Sequence, residues 1–302
     1  MFRKILVPLD GSELAERALD PALRIAFQQG SEVTLLRAPV VEGMAVPITE
    51  PLGGVGLFWP EGAARTAAQD ARKYLENVKT RYRGRGVPLG MRLAEGDAAE
   101  VILTTVRDRQ IDLVAMSSHG YSGLTRLVLG SVTEQVLHGV ACPVLVTRSE
   151  APVRHILIAL DRSATGEQAL EPGLEVARAL GARATLLHAI EPKGVDHHDV
   201  HQVEPIEHGL EKARQNAESL EAQDYLSEMA RRYTESGVPV ETSLTSLPVA
   251  EKILEYAQAH DVDLIAMGTH GRTGFQKFVH GSITESVLHG GCCSMLIVPP
   301  RR

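Results

Sequence analysis

The chain has 302 residues, 44% of them hydrophobic and 23% charged, with a formal net charge of -7. That length suits two ordinary domains in a soluble globular protein, each able to bury its own core. The acidic balance, with no dense run of lysine and arginine, argues against a nucleic-acid partner, because a phosphate backbone would be repelled.

The opening Met1-Phe2-Arg3-Lys4-Ile5-Leu6-Val7-Pro8-Leu9-Asp10 is too short in its apolar part for a signal peptide and reads instead as a strand over 4–9 ending at Asp10. Helical period follows over 13–29, then a β-branched apolar run over 32–37. Glu42 to Glu61 is an apolar, glycine-rich loop that includes Leu52-Gly53-Gly54-Val55-Gly56-Leu57-Phe58-Trp59-Pro60; a loop of this length suits a lid or contact surface, and an exposed Phe58-Trp59 pair would mark a partner site. A helix over 62–84, a strand over 88–93, a helix over 98–109, a strand over 112–116, a helix over 131–139 and a strand over 143–147 complete the first unit. Ser149-Glu150-Ala151-Pro152 then reads as a boundary.

Beyond it the pattern starts again. Ile5-Leu6-Val7-Pro8-Leu9-Asp10 matches Ile156-Leu157-Ile158-Ala159-Leu160-Asp161, an offset of 151 residues that also carries Gly30 onto Gly181, Gly86-Val87-Pro88 onto Gly237-Val238-Pro239, and Gly130-Ser131 onto Gly281-Ser282. Two tandem domains, 1–149 and 152–302, are therefore expected. Short apolar strands alternating with helices predict an α/β fold in each: an open, doubly wound, Rossmann-like five-stranded parallel sheet with helices on both faces. Such sheets place their ligand crevice beyond the carboxyl ends of the strands, where strand order reverses.

The residues that carry chemistry fall there. After the fourth strand, Gly268-x2-Gly271-x9-Gly281-Ser282 combines glycines that let a backbone approach a phosphate with a helix start whose N–H groups suit an anion. Ser282 also stands three residues before Glu285, the spacing of a capping box, so phosphate donor and helix cap both remain open for it. Asp10 and Asp161 end their first strands, where a carboxylate can accept from a ribose hydroxyl or an adenine amine; the alternative is that each caps the following helix through Ser12 or Ser163. In the first unit the motif reads Ser117-x2-Gly120-x9-Gly130-Ser131, with a serine in place of the first glycine.

Each half resembles the universal stress protein domain over nearly its whole length, in its Ile-Leu-Val-Pro-Leu-Asp-Gly-Ser opening (5–12), its Ser-His-Gly (118–120) or Thr-His-Gly (269–271) turn, and its Gly-Ser-Val-Thr-Glu (130–134) or Gly-Ser-Ile-Thr-Glu (281–285) helix start. The resemblance, closest to the family's ATP-binding branch, implies an adenine nucleotide alpha hydrolase-like sheet of strand order 3-2-1-4-5. It implies ATP, with Mg2+ on its phosphates, held by Gly268, Gly271, Gly281 and Ser282, with Asp161 on the adenosine side and Ala159, Thr269 and Ile283 alongside. The corresponding first site would use Asp10, Gly120, Gly130 and Ser131. It further implies a cytoplasmic stress-response regulator whose halves pair through their last strands as an internal pseudo-dimer, itself able to form a homodimer. The intact glycines favour the second half, although Ser246-Leu247-Pro248 there replaces the Glu95-Gly96-Asp97 that precedes the third helix of the first.

Other signals are weaker. Asp196-His197-His198-Asp199-Val200-His201, with His208, reads as a solvated loop sooner than a metal site. Cys142, Cys292 and Cys293 offer no disulfide framework and read as small core residues of a reducing compartment. His119 and His270 sit in the glycine turns, but no nucleophile with its base, no Walker-type Gly-Lys-Ser/Thr and no other catalytic motif occurs. Catalysis is expected to be absent or slow, which leaves a slow ATP-hydrolysing enzyme and an interaction scaffold with vestigial sites as the alternatives.

Overall fold

The computed structural model describes residues 2–39, 44–48, 54–58, 62–118, 129–190, 205–233, 237–269, 282–291 and 293–300, with the main chain alone at 44–48, 54–58, 205–215 and Ser282. The first half runs β1 (Lys4–Pro8), α1 (Glu13–Glu16), α2 (Leu19–Gln29), β2 (Glu32–Arg37), β3 (Met44–Ile48), β4 (Gly54–Phe58), α3 (Ala63–Arg81), β5 (Leu89–Leu93), α4 (Ala98–Arg109), β6 (Leu113–Ser117), α5 (Ser131–Gly139) and β7 (Val144–Thr147). The second runs β8 (His155–Leu160), a 3-10 turn (Gly166–Ala169), α6 (Leu170–Leu180), β9 (Arg183–Ala189), α7 (Pro205–Arg232), β10 (Val240–Thr245), α8 (Val249–Ala259), β11 (Leu264–Gly268), α9 (Ser282–Gly290) and β12 (Ser294–Val298).

Strands such as Ile5-Leu6-Val7 and Ile156-Leu157-Ile158 are buried on both faces, as parallel strands between helical layers must be. Ile5 and Val7 face α2 and α3, whereas Leu6 faces α4 and α5; each of these two core layers continues through both halves. Ten strands form a single sheet in the order β10-β9-β8-β11-β12-β7-β6-β1-β2-β5. Counting only these strands within each half, both halves read 3-2-1-4-5 with parallel neighbours, so order reverses between β1 and β6 and again between β8 and β11.

Two local readings need correction. The helix expected over 13–29 breaks between α1 and α2, because Pro21 has no N–H to donate to the carbonyl of Arg17 and its ring crowds that turn. Pro172 stands at the equivalent place, where the 3-10 turn gives way to α6. The stretch read as a loop over Glu42–Glu61 carries an antiparallel pair, Met44 opposite Phe58 through Ile48 opposite Gly54. Its glycines mask the side-chain alternation that marks a strand, while the main-chain ladder forms regardless. Trp59 and the side chain of Phe58 lie outside the described residues.

The halves meet where β7 runs antiparallel to β12, pairing Val144 with Ile297, Leu145 with Leu296 and Val146 with Met295. Leu145 and Leu296 are repeat equivalents, so this register is self-complementary about a pseudo-twofold axis through that pair. Arg24 donates to the carbonyl of Leu180 at the end of α6, and Arg148 donates to the carbonyls of Leu288 and Gly291 at the end of α9. Both are cations at helix carboxyl ends, where unpaired carbonyls and the dipole favour them. Glu175 and Pro299 occupy the equivalent positions, so these bonds have no mirror image.

Candidate functional site

At the carboxyl end of β1, Asp10 Oδ1 accepts from the main-chain N (2.9 Å) and the hydroxyl (2.6 Å) of Ser12, and Ser12 Oγ accepts from Ala15 N (3.1 Å) as the cap of α1. The second half repeats the arrangement: Asp161 Oδ1 accepts from Ser163 N (3.0 Å) and Oγ (2.6 Å), and Ser163 Oγ accepts from Gly166 N (2.9 Å). In the first half this is the capping alternative for Asp10; in the second, Ser163 makes the matching bond but the N-cap of the 3-10 turn is Thr165, which makes no side-chain cap bond, and in both halves the carboxylate is held beside the switch point. Ala159, half-buried, precedes this turn near the end of β8.

On the other side, the carbonyl ending β6 (Ser117) accepts from Thr133 Oγ1 at 3.0 Å, and that ending β11 (Gly268) accepts from Thr284 Oγ1 at 2.8 Å. Ser118 N and Thr269 N bond across to the Thr147 and Val298 carbonyls, each at 3.0 Å, and Gly130 N donates to Ser118 O at 2.8 Å. These bonds pin the first turns of α5 and α9 over the ends of their fourth strands. The threonine of each Gly-Ser-x-Thr-Glu segment is thus a site residue that spacing alone did not reveal.

Gly130 is the N-cap of α5 with no side-chain cap bond, and Ser131 is exposed as the first helical residue. The capping-box geometry is therefore not adopted at Ser131, because the box needs its serine one position earlier. Among the described residues no side-chain cap bond reaches the N-cap of that first turn, the condition that suits an anionic group. Ser282 is likewise the first residue of α9, and Ile283 beside it is exposed. Gly120, Gly271, Gly281, His119, His270 and the segment containing His197, His198 and His201 lie outside the described residues.

Gly268 has a packing role. A Cβ there would lie 2.9 Å from Thr165 O and 3.3 Å from Gly166 Cα, and a Cβ on Gly166 would lie 2.1 Å from Asp161 Oδ1. The second half therefore draws the turn after β8 tightly against the end of β11 by omitting two side chains. Ala15 and Ser117 fill the same positions in the first half, where the turn winds as α1 instead of a 3-10 turn. The serine in the first motif is thus matched by a change in its packing neighbour. The other departure is local too: Asp97 caps α4 by accepting from Glu100 N (3.0 Å), whereas Pro248 takes the N-cap position of α8.

Among the described residues no group of three or more histidine, cysteine, aspartate or glutamate side chains is placed to hold a metal ion, and no helix is long and apolar enough to cross a membrane. Cys142 is buried, and that burial pushes its thiol up to about 12.

Two open doubly wound α/β units, fused through their last strands and each presenting a held aspartate and a helix start at its switch point, define a tandem α/β protein. The universal stress protein family model matches residues 1–148 and again 152–299, and the chain belongs to that family. A universal stress protein of Mycolicibacterium smegmatis is 26% identical over 304 residues, covering 98% of this chain and 97% of the relative. The universal stress protein YxiE of Bacillus subtilis is 34% identical over 152 residues, which is 49% of this chain and 100% of that relative. A crystal structure of a universal stress protein from Archaeoglobus fulgidus superposes with a TM-score of 0.70 at 20% identity, covering 99% and 98% of the two chains, a likeness of fold.

Proposed function

We propose that this chain is a regulatory protein that binds an adenine nucleotide, with ATP in at least the second crevice. The observation that carries the reading is the arrangement repeated in both halves: a strand-one aspartate locked beside the switch point, opposite a helix start tied to the end of strand four. Phosphates would lie at the N-terminus of α9, over Gly281 and Ser282 and reached by the Gly268–Gly271 turn, with Mg2+ supplying charge neutralisation; Asp161 and Ala159 would border the adenosine.

Hydrolysis requires a base that positions water and cations that stabilise the transferring phosphoryl group. Asp10 and Asp161 each commit an oxygen to a serine of the turn that follows, which favours binding over turnover. Nucleotide occupancy would act by changing the surface around the switch point. The extensive seam supports a second reading, a scaffold for partner proteins with unused crevices.

Protein purified without added nucleotide, denatured, and analysed for released small molecules by mass spectrometry tests the proposal. An adenine nucleotide released in stoichiometric amount, or a raised thermal midpoint when ATP is added to empty protein, supports it. Empty protein that shows no shift with ATP sinks it in favour of the scaffold.

A further inference from the structure

Beside each strand-one aspartate stands the same small assembly, built from different residues. In the first half the hydroxyl of Tyr74 on α3 donates to Glu16 Oε1 of α1 (2.9 Å), Arg81 pairs with the other oxygen of Glu16, and the guanidinium of Arg37, from the end of β2, lies 4.8 Å above the Tyr74 ring. In the second half Tyr225 on α7 donates to Glu167 Oε1 (3.0 Å), and the guanidinium above its ring, at 5.7 Å, belongs to Arg162. The tyrosines and glutamates are repeat equivalents, 151 residues apart, but the arginines are not: Arg162 stands at the position of Gly11, and His188 at the position of Arg37.

The two arrangements compete for the same space. A Cβ on Gly11 would lie 2.5 Å from Arg37 Nη1 and 2.9 Å from Nη2, so a side chain at position 11 would displace the Arg37 guanidinium from this seat. In the second half His188 bonds the Leu160 carbonyl through Nδ1 (2.8 Å) and packs its ring against Tyr225 in a T-shaped contact, centroids 6.0 Å apart, so the guanidinium on that tyrosine comes from Arg162 instead. Arg162 keeps the left-handed backbone of that turn, φ +62 against φ +91 for Gly11, a conformation uncommon for a residue with a side chain. Its guanidinium also lies 3.8 Å from Glu221 on α7.

We infer that Gly11 with Arg37, and Arg162 with His188, are interchangeable solutions to one requirement: a single guanidinium seated on the tyrosine, serving as a positioning residue that ties the strand-one turn to the long helix. The need for it is electrostatic. Each site gathers the aspartate of the turn and the glutamate bonded to tyrosine in half-buried surroundings, and a cation on the ring face, joined in the first half by Arg81 on Glu16, offsets their like charge while packing against the ring. Burial, and then the bond to glutamate, raise both tyrosine hydroxyls well above their usual range, so they remain donors at neutral pH. The inference deepens the nucleotide reading, since the turn being held carries the aspartate assigned to the adenosine side, and its primary readout needs no nucleotide.

A mutant cycle on the intact chain tests it. Arg37→His removes the guanidinium and Gly11→Arg displaces it while placing a side chain at φ +91, so each alone is expected to lower the thermal midpoint by a few degrees, as a loss of about 1 kcal/mol does in a protein of this size. The double variant Gly11→Arg with Arg37→His recreates the arrangement of the second half and is expected to recover most of the loss. Additive losses in the double, or singles that leave the midpoint unchanged, overturn the inference. If a single fails to fold, a folded double supports it and an unfolded double overturns it. ATP titration of the same proteins separates the two proposals: absence of binding in every one, wild type included, removes the nucleotide reading while the stability coupling still decides this one.

Discussion

Gly268 and Gly166 lie against each other where the turn after β8 meets the end of β11, and the first half carries Ser117 and Ala15 instead. Gly268→Ser alone would push a Cβ into the Thr165 carbonyl, an overpacking cost of about 1–3 kcal/mol that urea denaturation should report; an unchanged midpoint would argue that packing does not require this glycine. His155 offers a pH test. It is buried, with Nδ1 3.0 Å from the His260 carbonyl and Nε2 2.8 Å from Thr185 Oγ1, so a neutral ring protonated on Nδ1 satisfies both partners. Burial lowers its pKa below the ordinary 6.5, so the unfolded chain takes up the proton first as pH falls. The stabilisation is complete above about pH 6.5 and is lost progressively below it, toward the lower folded value. Denaturation at pH 7.5 and pH 5.5 should show a larger loss for the wild type than for His155→Gln; equal losses would remove His155 from the account.

Among the elements, the fourth-strand ends and the helices above them govern the crevice. Thr284→Val is close to isosteric and removes the hydroxyl that holds α9 to the Gly268 carbonyl, at a net cost of about 1 kcal/mol. Faster amide exchange in the first turn of α9, with the β8 core unchanged, is the expected result by hydrogen-exchange mass spectrometry. The helix starts themselves were legible because glycine and serine interrupt the apolar period, and the strands because their apolar runs are short and β-branched. The job of the threonine was not legible, since its partner lies 16 residues earlier and only the fold brings the two together. The break before α2 stood in plain view at Pro21. The β3–β4 pair was hidden because Pro47 in β3 and the glycines of β4 break the strand pattern, and the arginine exchange was hidden because, although Arg162 visibly stands in place of Gly11, only the fold brings Arg37 and Arg162 to equivalent tyrosines.

For the molecule as a whole, the register of β7 on β12 is the central constraint. Because Leu145 faces its own repeat equivalent, either half made alone, divided between residues 149 and 152, should pair with a second copy through its last strand, covering an apolar edge that would otherwise be bare. Sedimentation should find dimers of each half; stable monomers would show that the seam depends on the one-way arginine bonds. Arg148→Ala, which deletes the bonds to Leu288 and Gly291, should loosen α9 at the end opposite its crevice and lower the thermal midpoint of the intact chain.

The nucleotide reading rests on the crevices themselves, and calorimetric titration of ATP with Mg2+ into the intact, ligand-free chain tests it most directly, with Gly281→Val and Gly130→Val measured alongside. Binding that Gly281→Val abolishes and Gly130→Val leaves in place is the expected result and assigns the nucleotide to the second half. No heat with the unmodified protein, despite a native thermal transition, would contradict the account and leave the seam and its surface as the functional part of the molecule.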